Sequence, residues 1–141
     1  MGQTTVTWIR NFEFVATDST NHSVILSSTD DNVGMKPSEL LLSALGSCAG
    51  YDVVSILGKR KKDLRNLRVD VTAEQANEGW PRPYTAFHMH FVVDADVTPE
   101  EVERAITLSE EKYCSVAATL RPAEITWDYE IVAQAATTAG D

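Results

Sequence analysis

Two cysteines are the side chains of this sequence best suited to covalent chemistry. Cys48 and Cys114 stand 66 residues apart and are the only two. That number fits neither the disulfide framework of a small secreted domain nor a four-cysteine zinc site. Residue type alone leaves them either as inert small hydrophobes of a core, the commoner state of a buried cysteine, or as thiols with chemistry to perform.

The other candidate groups carry less. His88 and His90 lie two residues apart on an alternating segment, so they point to one side of a strand, as metal ligands sometimes do. His22 is remote, and the polar positions Arg68, Asp70, Thr72 and Glu74 add no ordered ligand set, so we expect an exposed strand face and no metal. Ser43, Ser47 and Ser55 have no histidine nearby and no strand-to-helix elbow, which argues against a serine hydrolase. Glu100-Glu101 and Glu110-Glu111 read as a solvated helix face. Gly46 and Gly50 sit inside a helical pattern rather than a phosphate loop, and are expected to let two helices approach closely.

The elements that position these groups follow from periodicity. Thr5–Ile9 and His22–Leu26 have strand character, with turn chemistry over Thr17–Asn21, and predict an opening hairpin. After a polar loop, Pro37 leads into Leu41, Ala44, Leu45, Cys48, Asp52, Ser55 and Ile56, the spacing of a helix to about Lys59. This helix is apolar almost all round, so it requires burial on several sides, and the basic run Lys59 to Lys62 suits its C-terminal end.

Val69, Val71 and Ala73 alternate with polar residues, and Phe87, Met89, Phe91 and Val93 alternate with His88 and His90, which gives two half-buried strands. Thr98-Pro99-Glu100-Glu101 is a capping box with proline at the first helical position. One helix is expected from there to Arg121-Pro122, with Val102, Ala105, Ile106, Tyr113, Val116, Ala117 and Leu120 on its apolar face. Ile125–Ile131 is a closing strand. The order predicts one α+β domain over residues 1–141 with antiparallel pairing and a small-residue tail, frayed from about 133.

Composition narrows the function. A chain of 141 residues, 43% hydrophobic and 23% charged, is one ordinary globular domain rather than a disordered or fibrous segment. Its formal charge of -9 repels nucleic-acid phosphates and anionic membrane surfaces. The apolar stretch Leu40–Leu57 contains three serines and Asp52, too polar for a membrane span by this reading, and the N-terminus lacks a signal core. These features predict a cytoplasmic protein. A central helix that one small sheet cannot cover on all sides also predicts an intertwined homodimer.

The segments around the cysteines bear a resemblance. Pro37-Ser38-Glu39-Leu40 enters the helix about ten residues before Cys48, and Cys114-Ser115-Val116 carries the second thiol. Together with Asp52–Leu57 and Glu111–Ala117 they resemble the OsmC/Ohr superfamily of thiol peroxidases, nearest its OsmC-like, YhfA-like branch, over Val6 to about Ile131. The resemblance implies an OsmC-like α+β fold, an antiparallel sheet with a long buried central helix, and an interlocked homodimer with active sites at its interface. It implies an enzyme of the oxidative stress response with no cofactor, whose Cys48 attacks an organic hydroperoxide, whose Cys114 resolves it, and whose disulfide an external dithiol reduces.

A thiolate in an apolar helix needs a cation, because desolvation raises a thiol pKa. Lys59 to Lys62 begin 11 residues beyond Cys48, roughly 17 Å along the helix, too far to help from the same helix. The superfamily uses an N-terminal arginine held by a glutamate, and Arg10 is the only arginine before the helix. The family glutamate position is Ser38 here, with Glu39 next to it. On a continuous helix Glu39 lies about 180° around and roughly 13 Å along from Cys48, so its roles are an arginine of a partner chain or the helix N-terminus. Leu41, Ala44 and Leu45 are expected to line an apolar pocket. The Ser38 departure keeps an alternative open, a non-peroxidatic OsmC-fold protein that senses redox state or binds a small molecule.

Overall fold

The structure, a computed structural model, describes residues 2–60 and 63–132. Lys61, Lys62 and the tail from Ala133, for which fraying was expected, lie outside the described residues. The chain forms two compact units, residues 1–41 and 42–141.

The first unit is a three-stranded antiparallel meander of β1 (Thr4–Arg10), β2 (Glu13–Asp18) and β3 (Ser23–Leu26). The expected hairpin thus contains a third strand, β2, in its middle. Asn11 takes the left-handed region (φ 46°) at the first reversal, a conformation asparagine tolerates better than most residues. At the second reversal Asp18 Oδ1 accepts from the backbone N–H groups of Thr20 (2.9 Å) and His22 (3.0 Å). These bonds, led by that from His22, hold the Asp18 carboxyl below its ordinary range. β1 is exposed along its whole length.

Helix α1 (Pro37–Lys59) starts at its proline, as expected, and carries Glu39 in its first turn. By length and composition it could cross a membrane, so the polar residues within it do not exclude this as the sequence reading supposed. Its stripe Leu45, Ala49, Val53 and Leu57 instead joins the core of the second unit, together with Phe87, Met89, Phe91 and Val93. Full burial of such side chains contributes roughly 1.5–3 kcal/mol each. Leu45 is fully buried in that core, which corrects its expected place in the lining of a pocket.

In the second unit β4 (Leu64–Gln75), β5 (Tyr84–Ala95) and β6 (Glu124–Ile131) form a sheet in that order. β4 and β5 are antiparallel, whereas β6 runs parallel to β5, correcting the all-antiparallel expectation. The chain between β5 and β6 is helical and long enough for a crossover, which returns a strand in the same direction. The expected glycine contact is also corrected. A Cβ on Gly46 would meet Val71 Cγ2 at 2.8 Å, and the neighbours of Gly50 are Val69 and Leu67, so the glycines admit strand β4 rather than a second helix.

Thr98 caps α2 (Pro99–Leu108) through the expected capping box. The single long helix expected from there is interrupted. One π-helical turn, Ser109–Tyr113, follows α2, and extended Cys114 (φ −79°, ψ 102°) then caps the short α3 (Ser115–Leu120). The wider turn moves Tyr113 off the apolar face, where it is 60% exposed.

Candidate active site

Cys48 comes from the middle of α1 and Cys114 from the break between the π turn and α3. Cys48 is half-buried and Cys114 is buried, and both are free thiols. Elements far apart in sequence bring them together: Cys48 packs against the core cluster that contains Cys114, close enough for its sulfur to affect the Cys114 thiol. The Cys114 N–H donates to the Ser109 carbonyl at 2.8 Å, and its Sγ accepts from the Ala117 N–H at 3.3 Å.

Burial, then the Cys48 contact, pushes the Cys114 thiol up from 9.0 to about 11, against the opposing effect of the Ala117 N–H. Desolvation penalises the anion, and the neighbouring thiol adds to that penalty. Near neutral pH Cys114 therefore keeps its proton.

Sequence reasoning missed two side chains next to this pair. Ser109, 1% exposed, donates from Oγ to Asp52 Oδ2 at 2.7 Å. Asp52 lies one helical turn beyond Cys48, so the same stripe of α1 meets the π turn twice. The i, i+4 spacing of Cys48 and Asp52 was the available signal, but nothing in the sequence marked Ser109 as the partner.

Arg10 lies in the first unit, where its Nη1 donates to Glu13 Oε1 at 3.0 Å. Glu13, opposite Arg10 in the β1–β2 register, was not among the sequence candidates. Its side chain is 11% exposed against 68% for that of Arg10, so a mostly covered carboxylate anchors a guanidinium that reaches solvent. Glu39, in the first turn of α1, has the placement that favours the positive end of the helix dipole. The first unit also has an apolar recess of about 220 Å³ lined by Phe12, Phe14, Leu26 and Pro37.

The histidines form a ladder between β5 and β6. His88 Nδ1 meets Thr126 Oγ1 at 2.7 Å, and His88 Nε2 meets Asp128 Oδ1 at 2.9 Å. His90 Nδ1 meets the same Asp128 oxygen at 2.8 Å, and its Nε2 meets Glu130 Oε2 at 2.8 Å. Glu130 first and Asp128 second hold the His90 imidazolium above its ordinary range, while His90 and then His88 hold the Asp128 carboxyl below its own. Among the described residues no three His, Cys, Asp or Glu side chains are grouped as metal ligands.

Comparison with known proteins identifies the family. The OsmC-like protein family matches residues 28–130. Protein YhfA of Escherichia coli K12 is 38% identical over 133 residues, covering 93% of this chain and 98% of that protein. The crystal structure of a hypothetical protein from Aquifex aeolicus superposes with a TM-score of 0.80 at 26% identity, over 94% of this chain and 98% of that one. A structure described as an organic hydroperoxide resistance protein from Legionella pneumophila shares the fold, with a TM-score of 0.66 at 10% identity, over 92% of this chain and 96% of that one. An α+β chain that carries one cysteine on its central helix and another at a later helix break, and that matches this family over most of its length, belongs to the OsmC-like proteins.

Proposed function

We propose that this protein is a thiol peroxidase that reduces organic hydroperoxides. The observation that carries the reading is the packing of half-buried Cys48 from α1 against the core cluster that contains buried Cys114. The Cys48 thiolate attacks the distal peroxide oxygen, the O–O bond breaks, and the alcohol leaves after taking up a proton. Cys48 is left as a sulfenic acid. The Cys114 sulfur then attacks that sulfur, an S–S bond forms and water leaves. An external dithiol reduces the disulfide and is itself oxidised. The hydroperoxide resistance description of the Legionella relative supports this substrate class.

Arg10 is the cation we assign to thiolate stabilisation, with Glu13 as the carboxylate that holds it. Glu39 is assigned to the helix N-terminus or to an arginine of a partner chain. The working form is a cytoplasmic homodimer with the whole chain as one domain, no nucleic-acid or membrane partner, and the family match across residues 28–130 supports that single unit of function. Supporting the dimer, Val6 (58%), Trp8 (62%), Phe12 (65%) and, on α1, Tyr51 (75%) and Val54 (48%) are exposed in the single chain.

Mass spectrometry after one equivalent of an organic hydroperoxide tests the reading. The expected result is loss of about 2 Da from the wild type, no change in Cys48→Ser, and a sulfenic acid in Cys114→Ser. Unchanged mass in the wild type would overturn it. Ser38 at the glutamate position of the peroxidase branches favours a second reading, a redox-sensing or small-molecule-binding protein.

A further inference from the structure

Cys114 sits where helical geometry no longer fixes a side chain. The π turn before it and its own extended backbone free it from the helical path, so its position depends on what pins the Ser109–Tyr113 turn. Ser109 makes both contacts that matter. Its carbonyl accepts from the Cys114 N–H, and its hydroxyl donates to Asp52. A helical serine or threonine can satisfy its hydroxyl on the carbonyl four residues earlier, as Ser47 does on Ser43 and Thr119 on Ser115, each at 2.7 Å. Buried Ser109 instead reaches across to a carboxylate on α1, a charge-assisted bond.

The geometry closes a ring. Cys48 and Asp52 are four residues apart on α1, about 6 Å along the axis and about 40° around it. Cys48 packs against the core cluster that contains Cys114, Cys114 is tied by its N–H to Ser109, and Ser109 is tied to Asp52.

We propose that Asp52, acting through Ser109, is the positioning residue of the Cys48–Cys114 redox pair: its carboxylate anchors the π turn and so sets the effective concentration of the Cys114 thiol at Cys48. This rests on the two cysteines being the redox pair, and it adds a residue that touches neither sulfur.

The test is the equilibrium of the protein with glutathione, in which the protein dithiol and oxidised glutathione exchange for the protein disulfide and two reduced glutathiones. No hydroperoxide is involved. Ser109→Ala and Asp52→Ala should each lower the effective concentration by about tenfold or more, the fold-change of a hydrogen bond to a charged group. Asp52→Asn retains an acceptor for the serine and should stay within about threefold of the wild type. Urea unfolding of each variant in a Cys114→Ser background separates general loss of stability from the redox effect. If Ser109→Ala does not fold, Asp52→Ala at its half-buried site gives the same reading. An equilibrium within twofold of the wild type in the folded alanine variants overturns the proposal while leaving the peroxidase reading intact. A wild type that closes its disulfide in glutathione but is inert to hydroperoxide overturns the peroxidase reading and leaves this one standing.

Discussion

The Cys114 thiol, 3% exposed, lies near that of Cys48 at the edge of a hydrophobic core, and the neighbouring thiol adds to the burial that raises the Cys114 pKa. Burial distinguishes the two thiols. The buried Cys114 thiol keeps its proton near neutral pH, and Cys48 is the more exposed of the two.

That asymmetry predicts the order of alkylation. At pH 7 and under reducing conditions iodoacetamide should label Cys48 first, because a thiol pushed up to about 11 is almost wholly protonated there and the thiolate is the nucleophile. Arg10→Ala should slow labelling of Cys48 if the arginine stabilises its anion. Peptide mapping against time measures both, and faster labelling of Cys114 would contradict the assignment.

The raised Cys114 value also fixes the sign of a stability change. The folded state holds this proton more tightly than the unfolded chain, so the contribution is present in full below about pH 9. It is lost as the pH rises towards about 11. The loss is about 1.4 kcal/mol per unit of separation. Urea unfolding of the reduced protein from pH 8 to 11 should therefore show a steeper decline for the wild type than for Cys114→Ala. Parallel curves would argue against a raised value.

The histidine ladder has two opposite signs. Raised His90 supplies stability in full below its ordinary value of 6.5, lost as the pH rises through its folded value. Lowered Asp128 supplies stability present above 3.8, lost as the pH falls through its folded value. Asp70, paired with His90 in the β4–β5 register, has its charge offset by Arg68 at 3.2 Å. An NMR titration should place the His90 midpoint above 6.5 and show it fall in Glu130→Gln, while a wild-type midpoint at or below 6.5 would refute the effect of the ladder.

The two α1 glycines should respond oppositely. Gly50→Ala places a Cβ in ordinary contact with Val69 and Leu67 at 3.7 and 3.9 Å, and should stabilise by about 0.5–1 kcal/mol through helix propensity. Gly46→Val crowds Val71, already 2.8 Å from a first Cβ, and should destabilise by about 1–3 kcal/mol. Thermal unfolding of both variants measures the difference.

Local chemistry explains how much of this was legible. The Phe87–Val93 alternation, the Thr98 capping box and Pro37 at the start of α1 are short-range signals, and each element formed where its signal lay. Strand β2 was missed because Glu13–Asp18 has a charged residue at each end and an uncertain phase between them. The direction of β6 depends on a crossover, which no strand's own pattern encodes. The π turn escaped because apolar residues continue at nearly helical spacing through Ile106, Tyr113 and Ala117. For the site, the resemblance pointed to both cysteines, but the Asp52–Ser109 and Arg10–Glu13 ties arise only when strands and helices pack.

Sedimentation equilibrium at micromolar concentration addresses the assembly. The exposed Val6, Trp8 and Phe12 lead us to expect twice the 15.5 kDa chain mass. A stable folded monomer would remove the dimer from the account.

Turnover is the most direct test of the central claim. With an organic hydroperoxide in excess and a dithiol as reductant, the wild type should consume many equivalents of peroxide per chain, Cys48→Ser none, and Cys114→Ser far fewer with the dithiol alone. Peroxide consumption no faster than with dithiol alone, or equal consumption by Cys48→Ser, would contradict the account.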